Sequence, residues 1–455
     1  MDKAASQLFD LLGSNANLAV WGLGVNGQRL LTGLKELGHC GRLVLIDRQC
    51  KNIIAECLSP EDFATSSPLD AVVISTGPDH YQAIVRRLKG MGRSEPAILL
   101  FTRPRPGIGM RLAEHGLQDA FIDNFTAALD AMLQRRTLVS HQPLFFYVEP
   151  SRNCNLACVG CHPQGKRPIY PDLPVAYFNA LLDQAAPSMA HISFFRGGEA
   201  FCHPNFFDLL SVAAARTAAD IHISSNLSFR FTPAQLRQLA TDCTMVDAAI
   251  DGLTPGTYTA YRRGGRFDLA FANMLRLARL RDTLQNDLLL RWRFVVFRHN
   301  EHEVPQAQEV ARDVGVDLEL VRPFVPDPSW LPTDQSLWRD PPVEDTNQPV
   351  PFDGLPCPWL YFGTIVNHDG SLSPCCELQQ DWSPAGPPDM SAAFNSKAYR
   401  QARAAGVCPG CPPDRLAEWR NAFAKTVNSL AGVLQTNGRL TSEIDSLLMA
   451  LRPDL

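Results

Sequence analysis

Short apolar runs alternate with helical patterns along most of this chain of 455 residues. Fully apolar runs in such an alternation are typical of strands in a parallel sheet, because the crossover helices cover both faces. The alternation begins at Leu18 and resumes after a Pro-rich joint near 103–107, ending at Val321. The sequence therefore predicts an α/β protein, and at roughly 150 residues per domain it predicts about three domains.

The first 103 residues predict a small domain of their own. Its apolar runs cover 18–21, 43–46, 71–74 and 97–100. Gly22, Gly24 and Gly27 follow the first run with G-x-G-x-x-G spacing, and Asp47 comes about 20 residues later. Such glycines and a helix amino terminus can cradle a pyrophosphate, while the acidic residue binds a ribose hydroxyl. We predict a Rossmann-like domain over 1–103 that binds a nucleotide or nucleotide-sugar, binds NAD, or serves as a structural or docking module.

Six further strand candidates predict a central domain over 139–335, preceded by a linker and helix over 104–138. The candidates cover 144–148, 191–195, 221–224, 245–250, 288–297 and 318–321. Six βα units in series are typical of a partial or complete parallel barrel, in which active residues lie at the carboxyl ends of the strands. A Pro-rich linker over 336–352 ends this domain.

Charge and cysteine usage narrow the class of protein. The chain has 42 basic and 47 acidic residues, a net charge of −5, which excludes an overall polybasic nucleic-acid binder. No apolar run approaches the roughly 18 residues of a membrane span, and the first residues lack a signal-peptide pattern. We therefore expect a cytoplasmic protein without a membrane or nucleic-acid partner. In a reducing compartment its 13 cysteines are metal ligands or thiols rather than disulfides.

Cys154, Cys158 and Cys161 form a C-x3-C-x2-C loop immediately after the first strand of the central domain. Three thiolates on one short loop can hold three irons of a [4Fe–4S] cluster and leave the fourth iron open. The alternative is zinc, but a structural zinc site takes four ligands, commonly from paired C-x2-C units. The spacing favours an iron–sulfur cluster.

This loop and its surroundings resemble those of radical S-adenosylmethionine (SAM) enzymes. The resemblance covers residues 144–162, including Glu149 before the first cysteine. Gly197, Gly198 and Glu199 resemble the glycine–glycine–glutamate motif with which that family binds the amino group of SAM. Glycines permit close approach of the backbone, and a carboxylate accepts hydrogen bonds from an ammonium group.

Further matches extend the resemblance to about 144–415. Ser225 and Asn226 resemble the polar end of the family's third strand, which also contacts SAM. A serine that the family carries on its fourth strand is absent here. Arg262 or Arg293 is expected to bind the SAM carboxylate instead, through a charge-assisted hydrogen bond.

The last five cysteines resemble the auxiliary-cluster region of the subfamily that carries a carboxyl-terminal SPASM-type domain. They imply one auxiliary [4Fe–4S] cluster in a SPASM or twitch-like domain over 353–415, followed by a helical tail over 416–455. The expected ligands are Cys357, Cys375, Cys408 and Cys411. Cys376 competes with Cys375 for one position, and a zinc knuckle is the alternative site.

The resemblance implies an enzyme that reductively cleaves SAM to a 5′-deoxyadenosyl radical, which abstracts hydrogen from a substrate. We predict a small carbohydrate or nucleotide-linked substrate, because residues 1–103 predict βα units rather than a winged-helix peptide-recognition domain. The net reaction is oxidation, or epimerisation if Cys202 returns a hydrogen atom, although a buried, inert cysteine is the other interpretation. A flavodoxin or ferredoxin is the expected reducing partner. The alternatives are modification of a ribosomally made peptide and a non-catalytic Fe–S scaffold or electron carrier.

Overall fold

The structure, a computed structural model, describes fifteen stretches of the chain. They are 14–21, 25–46, 57–58, 63, 69–75, 84, 87–88, 91, 98–100, 108–161, 169–284, 288–323, 327–337, 356–375 and 389–407. The chain divides into two compact units, Met1–Arg105 with Gln308–Asp317, and Pro106–Ala307 with Leu318–Leu455. No helix in these stretches is both long and apolar enough to cross a membrane.

The first unit contains a five-stranded parallel sheet in the order β3-β2-β1-β4-β5. Its strands are β1 Leu18–Trp21, β2 Leu43–Ile46, β3 Cys57–Leu58, β4 Ala71–Ile74 and β5 Ile98–Leu100. Helix α1, Val25–Glu36, follows β1. Successive strand residues face opposite sides of the sheet, so the apolar strands contribute to two separate cores. Leu18 and Val20 lie in one core, and Ala19 and Trp21 lie in the other.

The second sheet has eight strands in the order β11-β10-β9-β8-β7-β6-β12-β13. They are β6 Phe145–Val148, β7 His191–Phe194, β8 Asp220–Ser225, β9 Met245–Ala249, β10 Leu289–Val295, β11 Asp317–Val321, β12 Gly363–Val366 and β13 Leu372–Ser373. Strands β6 to β10 pair in parallel with their neighbours in chain order. This consecutive parallel order brings the carboxyl ends of the strands to one edge, as the sequence predicts.

Helices connect most of these strands, which is why the parallel pairing is possible. From residue 108 onward they are α2 Ile108–Glu114, α3 Gln118–Leu133, α4 Val175–Ala185, α5 Phe206–Arg216, α6 Pro233–Asp242, α7 Pro255–Tyr261, α8 Phe267–Leu284, α9 Val304–Val314, α10 Trp359–Phe362, α11 Met390–Phe394 and α12 Lys397–Ala405. Capping boxes at Thr232 and Thr254 begin α6 and α7, and a left-handed Gly406 follows α12.

The sequence analysis missed β12 and β13. Strand β12 pairs in parallel with β6, and β13 pairs antiparallel with β12. Residues of α3, α10 and α12 form one apolar cluster beside this edge, including Phe125, Phe362 and Tyr399. The described part of the cysteine-rich region therefore belongs to the sheet of the second unit and lies directly beside its first strand.

The strands of the second sheet have two different faces. In β8 and β10, buried residues alternate with partly exposed ones, in contrast to the uniformly buried β1 and β4. The partly exposed positions include His222 on β8 and Arg291 and Arg293 on β10. This face therefore carries polar and charged side chains, while the apolar face packs on the helices.

Candidate functional site

The cysteine loop follows β6 directly and is hydrogen-bonded to the end of α7. The backbone N–H of Ala157 donates to the carbonyl of Arg263 at 2.8 Å, and that of Val159 donates to Tyr261 at 3.2 Å. Gly160, between the second and third cysteines, has a φ of +77°, which favours glycine. Cys154, Cys158 and Cys161 form no disulfide. The loop thus presents the thiols at the carboxyl end of β6.

Arg262 lies between the cysteine loop and the end of β9. Its Nη1 is 4.0 Å from Sγ of Cys158, and its Nε donates to Oδ2 of Asp251 at 2.5 Å. Asp251 is fully buried, and its Oδ1 accepts the backbone N–H of Val295 at 2.7 Å. Burial raises the pKa of Cys158 to about 11, and the nearby Arg262 opposes that rise. A positive charge is therefore fixed beside one of the predicted cluster ligands.

Glu199 is a buried carboxylate with one oxygen engaged. Its Oε2 accepts from the backbone N–H of Asn226 at 3.0 Å and from the Nδ2 of Asn226 at 2.7 Å. Its buried Oε1 accepts no hydrogen bond of good geometry from the described residues. Burial raises the pKa of Glu199, and the polar groups of Asn226, the Ser225 side chain and the Phe201 backbone oppose the rise. Oε1 is available to a donor such as an ammonium group.

Both glycines before Glu199 are required by close backbone approach. A Cβ at Gly197 would lie 2.6 Å from Oε1 of Glu149, and one at Gly198 would lie 2.3 Å from the carbonyl oxygen of Ser151. Both contacts are far inside ordinary van der Waals separations: a side chain at Gly198 would displace backbone, and one at Gly197 would displace the Glu149 carboxylate. The glycine–glycine–glutamate segment therefore packs directly on the start of the cysteine loop.

The polar end of β8 also joins the cysteine loop. Nδ2 of Asn226 donates to Oδ1 of Asn155 at 2.9 Å, and Nδ2 of Asn155 donates to the carbonyl of Ser228 at 3.1 Å. Oγ of Ser225 accepts the backbone N–H of Leu227 at 3.0 Å. Asn226 thus links the carboxylate of Glu199 to the loop between the first two cysteines.

Two further predicted residues, Arg293 and Cys202, lie on β10 and in the turn after Glu199. Arg293 donates to Glu319 on β11 at 2.9 Å, so the Asp251-bound Arg262, rather than Arg293, is the arginine beside the cysteine loop. Cys202 lies in a short 3-10 turn after Glu199. Burial, together with the charges of Glu199 and Cys154, raises the pKa of Cys202 to about 12, so its thiol keeps its proton at neutral pH.

Only part of the predicted auxiliary site lies in the described residues. Cys357 and Cys375 are buried in the same apolar cluster. The backbone N–H of Cys357 donates to the carbonyl of Gly406 at 2.7 Å, which joins Cys357 to the residue that follows α12. Cys376, Cys408 and Cys411 lie outside the described residues, as do Gly22, Gly24 and Asp47 of the predicted nucleotide site. Gly27 is buried in α1.

Three observations test whether this site fits an iron–sulfur cluster and SAM. The thiol set of the loop, the unengaged Oε1 of Glu199 and the glycine contacts agree with such an occupant. Within the stretches that the structure describes, no three His, Cys, Asp or Glu side chains are already arranged as metal ligands. The fit therefore rests on the donor types and on the loop spacing. Glu149 and Asp251 were missed as site residues, although each follows a strand of the central sheet.

Comparison with known families gives a match in the same region. Residues 148–290 match the family described as the Radical SAM superfamily. Mycofactocin maturase MftC from Mycobacterium tuberculosis (strain CDC 1551 / Oshkosh) is 26% identical over 202 residues, which cover 44% of this chain and 47% of that protein. The chain thus spans about half the length of the curated relative it matches.

Two solved structures of SuiB from Streptococcus suis are also similar. One, bound to S-adenosylmethionine, has a TM-score of 0.47 and 15% identity, covering 60% of this chain and 70% of that chain. The other, bound to the precursor peptide SuiA, has a TM-score of 0.45 and 12% identity, covering 62% and 70%.

These findings correct the prediction of a carbohydrate or nucleotide-linked small-molecule substrate, which is wrong. The curated relative that matches 202 residues of the chain is named a maturase. The prediction depended on finding βα units instead of a winged helix in residues 1–103. The fold of an attached domain does not specify the substrate, which is why that reasoning failed.

Proposed function

We propose that this protein is a radical SAM enzyme that modifies a ribosomally made peptide, because residues 148–290 match the Radical SAM superfamily. One observation carries the SAM-binding part: a buried carboxylate oxygen, Oε1 of Glu199, is left without a good donor beside the cysteine loop. A bound ammonium group would satisfy it. The peptide substrate is proposed from the maturase that matches 202 residues of the chain.

Different residues of the chain would bind the cluster and SAM. Cys154, Cys158 and Cys161 would hold three irons of a [4Fe–4S] cluster, and Glu199 would accept from the amino group of SAM. When bound, the reduced cluster and SAM supply a 5′-deoxyadenosyl radical that removes a hydrogen atom from the substrate. The protein itself contributes binding, orientation and the exclusion of water.

Arg262 is the group that we assign to the SAM carboxylate. Asp251 holds its Nε, while its Nη1 faces Cys158 at 4.0 Å. Because Asp251 is fully buried and also accepts a backbone N–H, it fixes the guanidinium in one orientation. A guanidinium with donors left over can bind a carboxylate without leaving its own partner.

The carboxyl-terminal region would hold an auxiliary cluster in a SPASM-type domain. The hydrogen bond between Cys357 and Gly406 and the shared burial of Cys357 and Cys375 support this assignment. Cys408 and Cys411 would complete the ligand set. Such a cluster would accept the electron of the substrate radical in a net oxidation. In an epimerisation the protonated thiol of Cys202 would instead return a hydrogen atom.

The first unit would be a Rossmann-like module that binds a nucleotide or docks a partner. Its strand order, β3-β2-β1-β4-β5, agrees with five of the six strands in the order of a dinucleotide-binding fold. A flavodoxin or ferredoxin would supply the electron for SAM cleavage. We place the whole reaction in the cytoplasm, where the thiols stay reduced.

The enzyme activity is tested by SAM cleavage. Anaerobically reconstituted protein with dithionite and SAM is expected to release 5′-deoxyadenosine, measured by chromatography and mass spectrometry. The protein should carry about 8 irons for two clusters, and the triple variant Cys154→Ala, Cys158→Ala, Cys161→Ala about 4. That variant should release no 5′-deoxyadenosine. A wild-type protein with its clusters confirmed and no cleavage would contradict the proposal.

The substrate class needs a separate experiment. The protein is co-expressed with short peptides encoded beside its gene, and each peptide is examined for a mass change that depends on Cys154, Cys158 and Cys161. The same preparation is incubated with UDP-sugars as the comparison. A modified peptide supports the proposal, whereas a modified sugar with every peptide unchanged refutes the peptide part.

A further inference from the structure

Glu149 is a buried carboxylate that the cofactor-binding scheme above does not use. It is the first residue after β6, and its side chain is only 1% exposed. Its Oε1 accepts the backbone N–H of Gly197 at 3.0 Å, and its Oε2 accepts the backbone N–H of His368 at 3.4 Å. One carboxylate therefore joins two segments that are 171 residues apart in the sequence.

The first of these segments is the glycine loop, Arg196–Glu199. Gly197 has no room for a side chain, because a Cβ there would lie 2.6 Å from Oε1 of Glu149. The carboxylate thus restrains the loop both by accepting a hydrogen bond and by filling the space beside it. Glu199, two residues later, carries the unengaged oxygen that we assign to SAM.

The second segment is the turn between β12 and β13, residues 367–371, which we call the hairpin turn. Contacts within the hairpin hold this turn in place: Nδ2 of Asn367 donates to the hydroxyls of Ser371 and Ser373 at 3.0 and 2.8 Å.

The hairpin turn also contacts α4 and the segment before it. The hydroxyl of Tyr177 on α4 donates to the carbonyl of Gly370. Nδ1 of His368 lies 2.9 Å from the carbonyl of Pro171.

Two further contacts join the hairpin turn to the same elements. A guanidinium nitrogen of Arg196 donates to Oδ1 of Asn367. The backbone N–H of Glu149 donates to the carbonyl of Val366 at 2.8 Å, so β12 holds the residue that bears the carboxylate. The glycine loop and the hairpin turn therefore share one buried acceptor and one direct side-chain contact.

We propose that Glu149 is a positioning residue through which the hairpin turn sets the geometry of the glycine loop, and with it the affinity for SAM. The inference rests on the proposed function, since it concerns the SAM site. The bond from Gly197 has ordinary length at 3.0 Å and the contact from His368 is longer at 3.4 Å. A charged acceptor strengthens both, and leaving either amide unpaired in a buried place is costly. A glutamine has a single carbonyl oxygen, so it can accept from only one of the two amides while its NH2 group faces the other.

The link itself is tested without any cofactor, by amide hydrogen exchange in the full-length apoprotein. In Glu149→Gln, exchange should become about tenfold faster in peptides covering 196–199 and in peptides covering 367–371. The matched control is Glu301→Gln, which also loses a carboxylate that accepts two backbone amides, those of Thr333 and Asp334. The control should leave both segments unchanged. Faster exchange in one segment only, or in neither, would overturn the proposal.

The consequence for SAM is tested on reconstituted protein with its iron content verified. The Kd for SAM should rise about tenfold in Glu149→Gln, while kcat for 5′-deoxyadenosine release at saturating SAM stays within about twofold of wild type. Asn367→Ala, which leaves Glu149 in place, should raise the Kd by a smaller factor, and it decides the question if Glu149→Gln does not fold. An unchanged Kd in the folded variants refutes the proposal.

The two hypotheses fail in different ways. A wild-type protein that neither binds nor cleaves SAM refutes the proposed function, whereas the exchange data from the apoprotein still decide whether Glu149 links the two segments. A wild-type protein that cleaves SAM, with variants that bind it equally well, refutes the role of Glu149 alone.

Discussion

The two sheets of this protein are built from parallel strands, but they differ in what their strands present. Strands β1 and β4 read Leu-Ala-Val-Trp and Ala-Val-Val-Ile and are buried at every position. Strands β8 and β10 read Asp-Ile-His-Ile-Ser-Ser and Leu-Leu-Arg-Trp-Arg-Phe-Val, and their polar residues are partly exposed on one face. The first sheet uses both faces for packing, whereas the second uses one face for packing and leaves the other to polar groups.

Because of this difference, substitutions in the two sheets are expected to have different consequences. In the first sheet, a substitution within β1 or β4 disturbs an apolar core and little else. In the second sheet, His222, Asp247, Arg291 and Glu319 form a continuous row across β8 to β11, with contacts of 2.7 to 3.2 Å. The loops after β6 to β9 of the same sheet carry the residues that we propose bind the cluster and SAM. Changes in the second sheet and its loops are therefore expected to alter binding or titration as well as stability.

The largest effect on SAM binding is expected from a methyl group added at Gly198. A Cβ there would lie 2.3 Å from the carbonyl oxygen of Ser151 and 2.6 Å from the backbone carbon of Arg152. Overpacking against backbone costs about 1–3 kcal/mol, so Gly198→Ala should weaken SAM binding by about 10- to 100-fold. Calorimetry on reconstituted protein measures the change.

Gly41→Ala in the first unit is the matched substitution. Its Cβ would lie 2.0 Å from the carbonyl oxygen of Ala16, an equally severe backbone contact. It should lower the thermal stability of the first unit and leave the Kd for SAM within about twofold of wild type. A loss of SAM affinity in Gly41→Ala as large as that in Gly198→Ala would break the separation between the two sheets.

Sequence patterns predicted the strands well where the signal is local. The run Leu144–Val148 and the observed strand Phe145–Val148 differ by one residue, because an apolar run with a turn on each side is sufficient evidence for a strand. Gly363–Val366 was missed, since it becomes a strand through pairing with β6, more than 200 residues earlier. Local composition contains no information on such a register.

In the candidate site, too, local features were predictable from the sequence and long-range contacts were not. Spacing alone was enough to single out Cys154, Cys158 and Cys161, because three ligands on one loop need no long-range information. The contacts of Glu149 with His368 and of Asp251 with Arg262 depend on how distant loops meet. A carboxylate after a strand was a visible signal in both cases, but its partner was not.

The largest effect on stability is expected from Asp247→Asn on β9. Arg291 donates to both carboxylate oxygens of Asp247, at 2.9 and 2.7 Å, and Asp247 is only 1% exposed. Removing one charge of a buried pair costs about 3 kcal/mol, at the lower end of the usual range because Arg291 is partly exposed. The urea midpoint of the second unit's transition should fall accordingly.

The double variant Asp247→Leu, Arg291→Met sharpens that test. With neither charge left, no ion is buried without its partner, so much of the stability lost in the single variant should return. If Asp247→Asn does not change the urea midpoint, solvent screens the charged row across β8 to β11 as it screens surface ion pairs. The two sheets would then differ less in what their polar faces contribute than we propose.

The smallest effect is expected from pH, through His191 at the start of β7. Burial lowers the pKa of His191 to about 4; nearby Asp220 opposes the shift and His222 adds to it. In the unfolded chain the pKa is near its ordinary value of about 6.5, so between pH 6.5 and 4 the unfolded state binds the extra proton. Unfolding free energy should therefore decrease as pH falls through that window, by about 2 kcal/mol at pH 5.

The variant His191→Gln should remove this part of the pH dependence in urea titrations, and the variant of the exposed His115, His115→Gln, should keep it. Strands β1 and β4 contain no titratable side chain, so this pH dependence should come from the second sheet. If the unfolding free energy depends equally on pH in His191→Gln and in His115→Gln, the polar face of the second sheet does not govern the acid stability of that sheet.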